Sequence, residues 1–143
     1  METVTYILII IAAISNAVMD TIKHHWSKSI FKDFRNFWFW WFHVLGWKWK
    51  YVDFDSGSRE RVKWNILGIK INKPVQLTNA WHFFKMIMLL CLIATPITYE
   101  PVFEKWLGFY GGAFADYAIM GIAYNTTFST FYHHTFIRKK KKL

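Results

Sequence analysis

The chain has 143 residues, of which 54% are hydrophobic and 21% aromatic, and a formal net charge of +9. That length suffices for one domain, but the apolar and aromatic share is well above that of a soluble domain, so lipid is the expected solvent. A basic balance also fits nucleic acid, yet long uncharged runs separate the cations here instead of spreading them over one surface, and no nucleic-acid partner is expected.

The first run, Thr3 to Met19, carries no charge. With polar allowance it reaches the roughly 20 residues needed to cross a hydrocarbon core, giving a first span over about 3–25. The start, Met1-Glu2-Thr3-Val4, lacks the positive segment of a cleaved signal peptide, and no small-residue cleavage site closely follows the apolar run, so this span is expected to be retained.

Residues 31–76 differ in kind and are expected to form a cytoplasmic or interfacial loop. Phe37-Trp38-Phe39-Trp40-Trp41-Phe42-His43 is too short to span and has the ring content of a membrane interface. Trp47 to Phe54 alternates, Asp55-Ser56-Gly57-Ser58 reads as a turn, and Arg59 to Ile66 returns, so a small amphipathic β-hairpin on the headgroups is expected here.

From Pro74 to Tyr99 the only formal charge is Lys85, near enough to the start for its stem to reach the headgroups. A second span follows over about 78–98, with Leu77-Thr78-Asn79 supplying polar caps and Pro96 and Pro101 ending it. The third span covers about 106–135, where the sole carboxylate is Asp116 and where Gly108, Gly111 and Gly112 mark a loosely formed or closely packed start. A basic tail, 138–143, closes the chain. The fold class is therefore an all-α membrane protein: one membrane domain over 1–143, a three-helix transmembrane bundle with an interfacial aromatic loop that can include a small β-hairpin. Cys91 sits in the most apolar stretch and is read as a packing residue, since one cysteine allows neither a disulfide framework nor a cysteine-based zinc site.

Eleven of the 18 Lys and Arg residues fall between Lys23 and Lys73 and five in the tail. The positive-inside rule then puts the N-terminus outside and the loop and C-terminus in the cytoplasm, an orientation that with the bacterial resemblance given below implies a bacterial inner membrane. This topology brings His24, His25, His82, His133 and His134 to the same face. Asp20 precedes His24 by four residues, one helical turn, and Asn79 precedes His82 by three. Asp20, His24, His82 and His134 are thus candidate ligands for zinc or iron, with His25, Asn79, Lys85 and His133 as secondary candidates.

Blander readings compete with this one. Histidines are common at interfaces, and Lys85 can serve as the counter-ion of Asp20, removing the need for a metal. Asp116 either faces a polar cavity, pairs with Lys105 or marks an ion path. Asn125, Thr126, Thr127, Ser129 and Thr130 form a polar stripe suited to interhelical hydrogen bonds.

Asn16-Ala17-Val18-Met19-Asp20 through His24-His25, Ser27-Lys28-Ser29-Ile30-Phe31, Ala80-Trp81-His82-Phe83-Phe84-Lys85, Trp47-Lys48-Trp49-Lys50-Tyr51 and Phe131-Tyr132-His133-His134 together resemble a family of small uncharacterised bacterial membrane proteins. The resemblance covers most of the chain and implies no activity; Asn79 stands where the family pattern has an aspartate. Membrane desaturases are the other histidine-rich comparison, but six histidines with neither H-x3-H nor H-x2-H-H do not supply their ligand count.

Two classes of function are expected from these residues. One is a metal-dependent membrane enzyme or metal-binding protein using the His/Asp cluster, in which a bound metal activates water or oxygen and no nucleotide cofactor takes part. The alternative is a non-enzymatic membrane protein, either a holin-like pore former or a lipid-binding scaffold whose Lys139, Lys140, Lys141 and Lys142 engage anionic headgroups. Its partners are membrane lipid and other copies of itself in a homo-oligomer. Lys140-Lys141-Lys142-Leu143 also fits a dilysine retrieval signal in a eukaryotic host, although a stop-transfer cluster explains the same residues.

Overall fold

A computed structural model describes residues 2–34, 38–42, 51, 60–61 and 63–138. Helix α1, Glu2–His24, is followed by two 3-10 turns, Trp26–Lys28 and Ile30–Asp33, and a short helix α2, Trp38–Trp41. Strands β1, Lys63–Ile66, and β2, Ile69–Asn72, form an antiparallel pair. A 3-10 turn, Val75–Leu77, leads into α3, Ala80–Thr98. Helix α4, Glu104–Thr130, runs on into a π-helical turn, Phe131–Phe136.

Helix α1 is the centre: α3 and α4 both pack against it rather than against each other. The sequence explains this arrangement. Ala12, Ala13, Ser15 and Ala17 are all buried, and side chains that small on several sides of one helix let two neighbours approach its backbone closely. Nearer its start α1 has a free side, with Val4, Ile7 and Ile11 exposed at spacings of three and four. Lys23 and His24 fall in its last turn, where positive charge offsets the helix dipole.

Two of the three long helices, α1 and α3, are long and apolar enough to cross a membrane. At 1.5 Å per residue they extend about 34 and about 28 Å. Helix α4 is longer, 27 residues, yet Glu104, Lys105, Asp116 and its Gly, Asn and Thr residues keep it below the same apolar criterion. Outward faces are apolar regardless: Leu89, Leu90, Ile93 and Ile97 on α3 and Phe109, Phe114 and Ile122 on α4 are exposed.

Several expectations are corrected in detail. Pro96 does not end α3; it lies inside the helix, which continues to Thr98. Two members of the polar stripe of α4 bond within their own helix: Asn125 Nδ2 donates to the Gly121 carbonyl at 3.0 Å and Thr130 Oγ1 to the Thr126 carbonyl at 2.8 Å. Thr21 and Thr95 likewise donate to the carbonyls of Ala17 and Cys91. A hydroxyl bonded to the carbonyl four residues back needs neither water nor a neighbouring helix.

The sheet also departs from expectation. An isolated bridge, Tyr51 to Arg61, joins the two segments expected to pair, and 52–59, with the expected turn, lie outside the described residues. The regular hairpin is the next one along, with Lys63 opposite Asn72, Trp64 opposite Ile71, Asn65 opposite Lys70 and Ile66 opposite Ile69. Its two-residue loop is Leu67-Gly68, with φ of 52° and 85°. Positive φ at both central positions matches the right-handed twist of the strands.

Candidate functional site

Two polar constellations stand at opposite ends of α1. At its carboxy end, α1 gives way to a turn at His25, and Ser29 pairs with Ile137 while Arg138 N donates to the Lys28 carbonyl at 2.9 Å. Arg138 also forms an ion pair with Asp33. Phe31 stacks on Trp41 at 4.7 Å between ring centroids and meets Phe136 at 5.1 Å, while Trp40 and Trp41 reach Phe83 and Phe84 of α3. Rings of the aromatic loop thus close this end of the bundle over a core of Ala17, Val18, Ile22 and Ala80. Phe37 and His43 lie outside the described residues, as do Lys139, Lys140, Lys141 and Lys142.

The expected histidine cluster does not assemble: among the described residues no three His, Cys, Asp or Glu side chains come together to hold a metal ion. His24 is exposed at the last position of α1. His25 is half-buried and meets Tyr132 edge-on at 5.5 Å. His82 Nδ1 lies 2.9 Å from Asn79 Oδ1, and that same oxygen caps α3 by accepting from the His82 backbone N–H at 2.9 Å. His133 and His134 are both exposed in the π turn, where Phe136 takes the inward position. The physical reason is packing: the Phe136 ring, buried against Phe31 and Phe131, takes the inner side of the turn.

Lys85 is no counter-ion for Asp20 either. It is exposed, with Nζ 5.0 Å from the centre of the Trp81 ring, a cation–π contact. Asp20 is half-buried, within electrostatic reach of the Tyr124 phenol of α4 and the Tyr132 phenol of the π-helical turn.

The amino end of α1 holds the better-built constellation. Thr5 Oγ1 donates to the Thr98 carbonyl at 2.8 Å, tying α1 to the end of α3. Beyond it, residues 99–103 fold back onto α4. Gly108, with φ of 68°, breaks the helical path near the start of α4. One turn later a Cβ on Gly112 would stand 2.5 Å from Glu104 N and 2.8 Å from the Phe103 carbonyl carbon, so only glycine admits the returning chain. One turn later again, Asp116 Oδ2 accepts from the Tyr99 hydroxyl and from Val102 N, each at 2.9 Å. Asp116 is 1% exposed. Its other oxygen, Oδ1, is buried with no hydrogen-bond partner. Asp116 forms no ion pair with Lys105, and the small cavity it borders with Thr5, Tyr99 and Met120 is lined mainly by apolar surface, not the polar surface expected.

Tyr99 stacks on Tyr117 at 5.6 Å. Its phenol is pushed up to about 12 by burial, by the hydrogen bond it donates to Asp116 and by the charges of Asp116, Tyr117 and Glu104.

Comparison with protein families, curated proteins and solved structures finds no match for this chain. The resemblance to a bacterial family therefore rests on the quoted segments alone.

Proposed function

We propose that the chain is an integral membrane protein with three spanning helices, its N-terminus outside, whose cytoplasmic end is a non-enzymatic scaffold for anionic lipid. The observation that carries this reading is the β1–β2 hairpin. Cross-strand partners share a face, so Trp64, Ile66, Ile69 and Ile71 form one apolar side while Lys63, Asn65, Lys70 and Asn72 form the other. Nothing among the described residues covers the apolar side: Ile69 is 66% exposed and Leu67, at the tip, 98%. Lys63 and Lys70 put positive charge on the opposite face, with Arg61 close by and Lys63 paired to Glu60. A hairpin with one apolar face and one mainly cationic face fits the boundary between acyl chains and anionic headgroups.

The rest of the molecule supports the same picture. Exposed aliphatic and aromatic side chains on α3 and α4 suit lipid, and side-chain donors along the helices are satisfied internally. A metal-dependent enzyme is the weaker reading, because Asp20, His24, His82 and His134 do not converge. To test the proposal, the full chain is reconstituted into nanodiscs of zwitterionic lipid, with and without anionic phosphatidylglycerol. Thermal unfolding is expected several degrees higher with the anionic lipid, the gap narrowing as salt rises. Equal unfolding temperatures in the two compositions would refute the scaffold reading.

A further inference from the structure

On the outward side of α3, Gln76, His82, Lys85, Met86, Leu89 and Leu90 border an open groove of about 340 Å³. Spacings of three and four residues put the helical members on one face. The two ends of the groove differ in chemistry. Gln76, His82 and Lys85 stand at the start of α3, while Met86, Leu89 and Leu90 carry the groove down the helix, roughly 12 Å from His82 to Leu90 at 1.5 Å per residue. Lys85 is the one Lys, Arg, Asp or Glu in α3, is exposed, and makes no ion pair among the described residues. Its ammonium is held at the helix surface over the Trp81 ring. The His82 ring is held too, with Nδ1 2.9 Å from Asn79 Oδ1. Leu89 and Leu90 are exposed.

We propose that this groove holds one anionic phospholipid of the cytoplasmic leaflet, its phosphate at Lys85 and an acyl chain along Met86, Leu89 and Leu90. The inference deepens the lipid reading and rests on it, because the direction in which α3 crosses decides which end of the groove meets headgroups. With the start of α3 at the cytoplasmic surface, the cationic end lies among headgroups and the apolar end points toward the bilayer centre. A phospholipid presents its own groups in that order. A soluble anion would use the Lys85 end alone and leave the leucines bare. In a zwitterionic lipid the headgroup's own cation competes with Lys85 for the phosphate, so one unpaired lysine favours a singly anionic lipid. The β1–β2 hairpin is a separate contact that shares no residue with the groove.

The experiment is native mass spectrometry of the full chain in neutral detergent, titrated with dioleoyl phosphatidylglycerol, dioleoyl phosphatidylcholine or oleate. The wild-type chain is expected to take up a first phosphatidylglycerol ahead of phosphatidylcholine, and Lys85→Gln to weaken that step roughly fivefold, the attraction of one lysine for anionic lipid. Leu90→Trp, which fills the apolar end, should weaken it as well. Both positions are exposed, so neither change disturbs the packing of α3 on α1. Equal uptake of the two phospholipids, a preference for oleate, or unchanged binding in either variant would overturn the site. Lys63→Gln combined with Lys70→Gln separates the groove from the hairpin. A loss confined to that pair would sustain the hairpin and refute the groove, whereas a loss confined to Lys85→Gln supports the groove even where the hairpin contributes nothing.

Discussion

At Gly112 one missing methyl group decides whether two segments can meet. The backbone of Phe103 and Glu104 lies where a Cβ would go, and backbone cannot swing aside as a flexible side chain can. Gly112→Ala is therefore expected to cost about 1–3 kcal/mol, read by thermal unfolding. Gly121 has nothing within 4 Å of its would-be Cβ, so Gly121→Ala should be neutral or slightly stabilising and serves as the control. Tyr99 acts on the same contact through its proton. Because its folded-state phenol titrates near 12, above the ordinary value of 10, its contribution to stability is complete below pH 10 and is lost as pH rises toward 12. Tyr99→Phe should cost about 1 kcal/mol at neutral pH and reduce the loss of stability between pH 10 and 12, as measured by unfolding across that range. The sequence singles out Asp116 as the lone carboxylate of its run, and the glycines ahead of it signal close packing. Which oxygen is bonded, and to what, depends on a loop that returns to α4, and no local spacing encodes that.

Among the elements, the hairpin breaks a local rule at its tip. A turn with positive φ at both central residues favours Asn-Gly, yet Leu67 occupies the first position with its side chain fully in the open. A side chain that neither suits its backbone nor packs on the fold is better explained by insertion into lipid than by folding. Leu67→Asn should accordingly leave the hairpin intact or firmer while weakening its hold on the bilayer. With Cys91→Ala as background and a fluorophore on a cysteine introduced at Ile69, the wild-type tip should be quenched by lipids brominated on their acyl chains, and Leu67→Asn should lower that quenching at least twofold. Equal quenching would remove the hairpin from the membrane. The alternation that announces β1 is legible in Trp64-Asn65-Ile66, and its mirror follows in Ile69-Lys70-Ile71. Asp55-Ser56-Gly57-Ser58 offers an earlier turn that competes for the same strand, whereas the glycine of Leu67-Gly68 marks the turn that β1 makes with β2.

For the whole molecule, the long apolar runs located all three helices to within a few residues, because a helix that must satisfy its own backbone tolerates few interruptions. That the ends of the first and last helices meet was legible too: His25 reaches Tyr132 and Ser29 pairs with Ile137. The orientation of the histidines was not. The π turn at Phe131–Phe136 changes the phase of the last helix, and Tyr132 and Phe136 occupy the inner positions, which leaves His133 and His134 outside. Protein purified without chelators is thus expected to carry no stoichiometric zinc or iron, and one equivalent by elemental analysis would restore the metal reading. The account depends above all on three crossings with the basic end in the cytoplasm. Single cysteines at Lys105 and Thr135, in a Cys91→Ala chain, are to be labelled in intact cells with a membrane-impermeant maleimide. Lys105→Cys should label from outside and Thr135→Cys only after permeabilisation; labelling of both, or of neither, before permeabilisation would contradict the account.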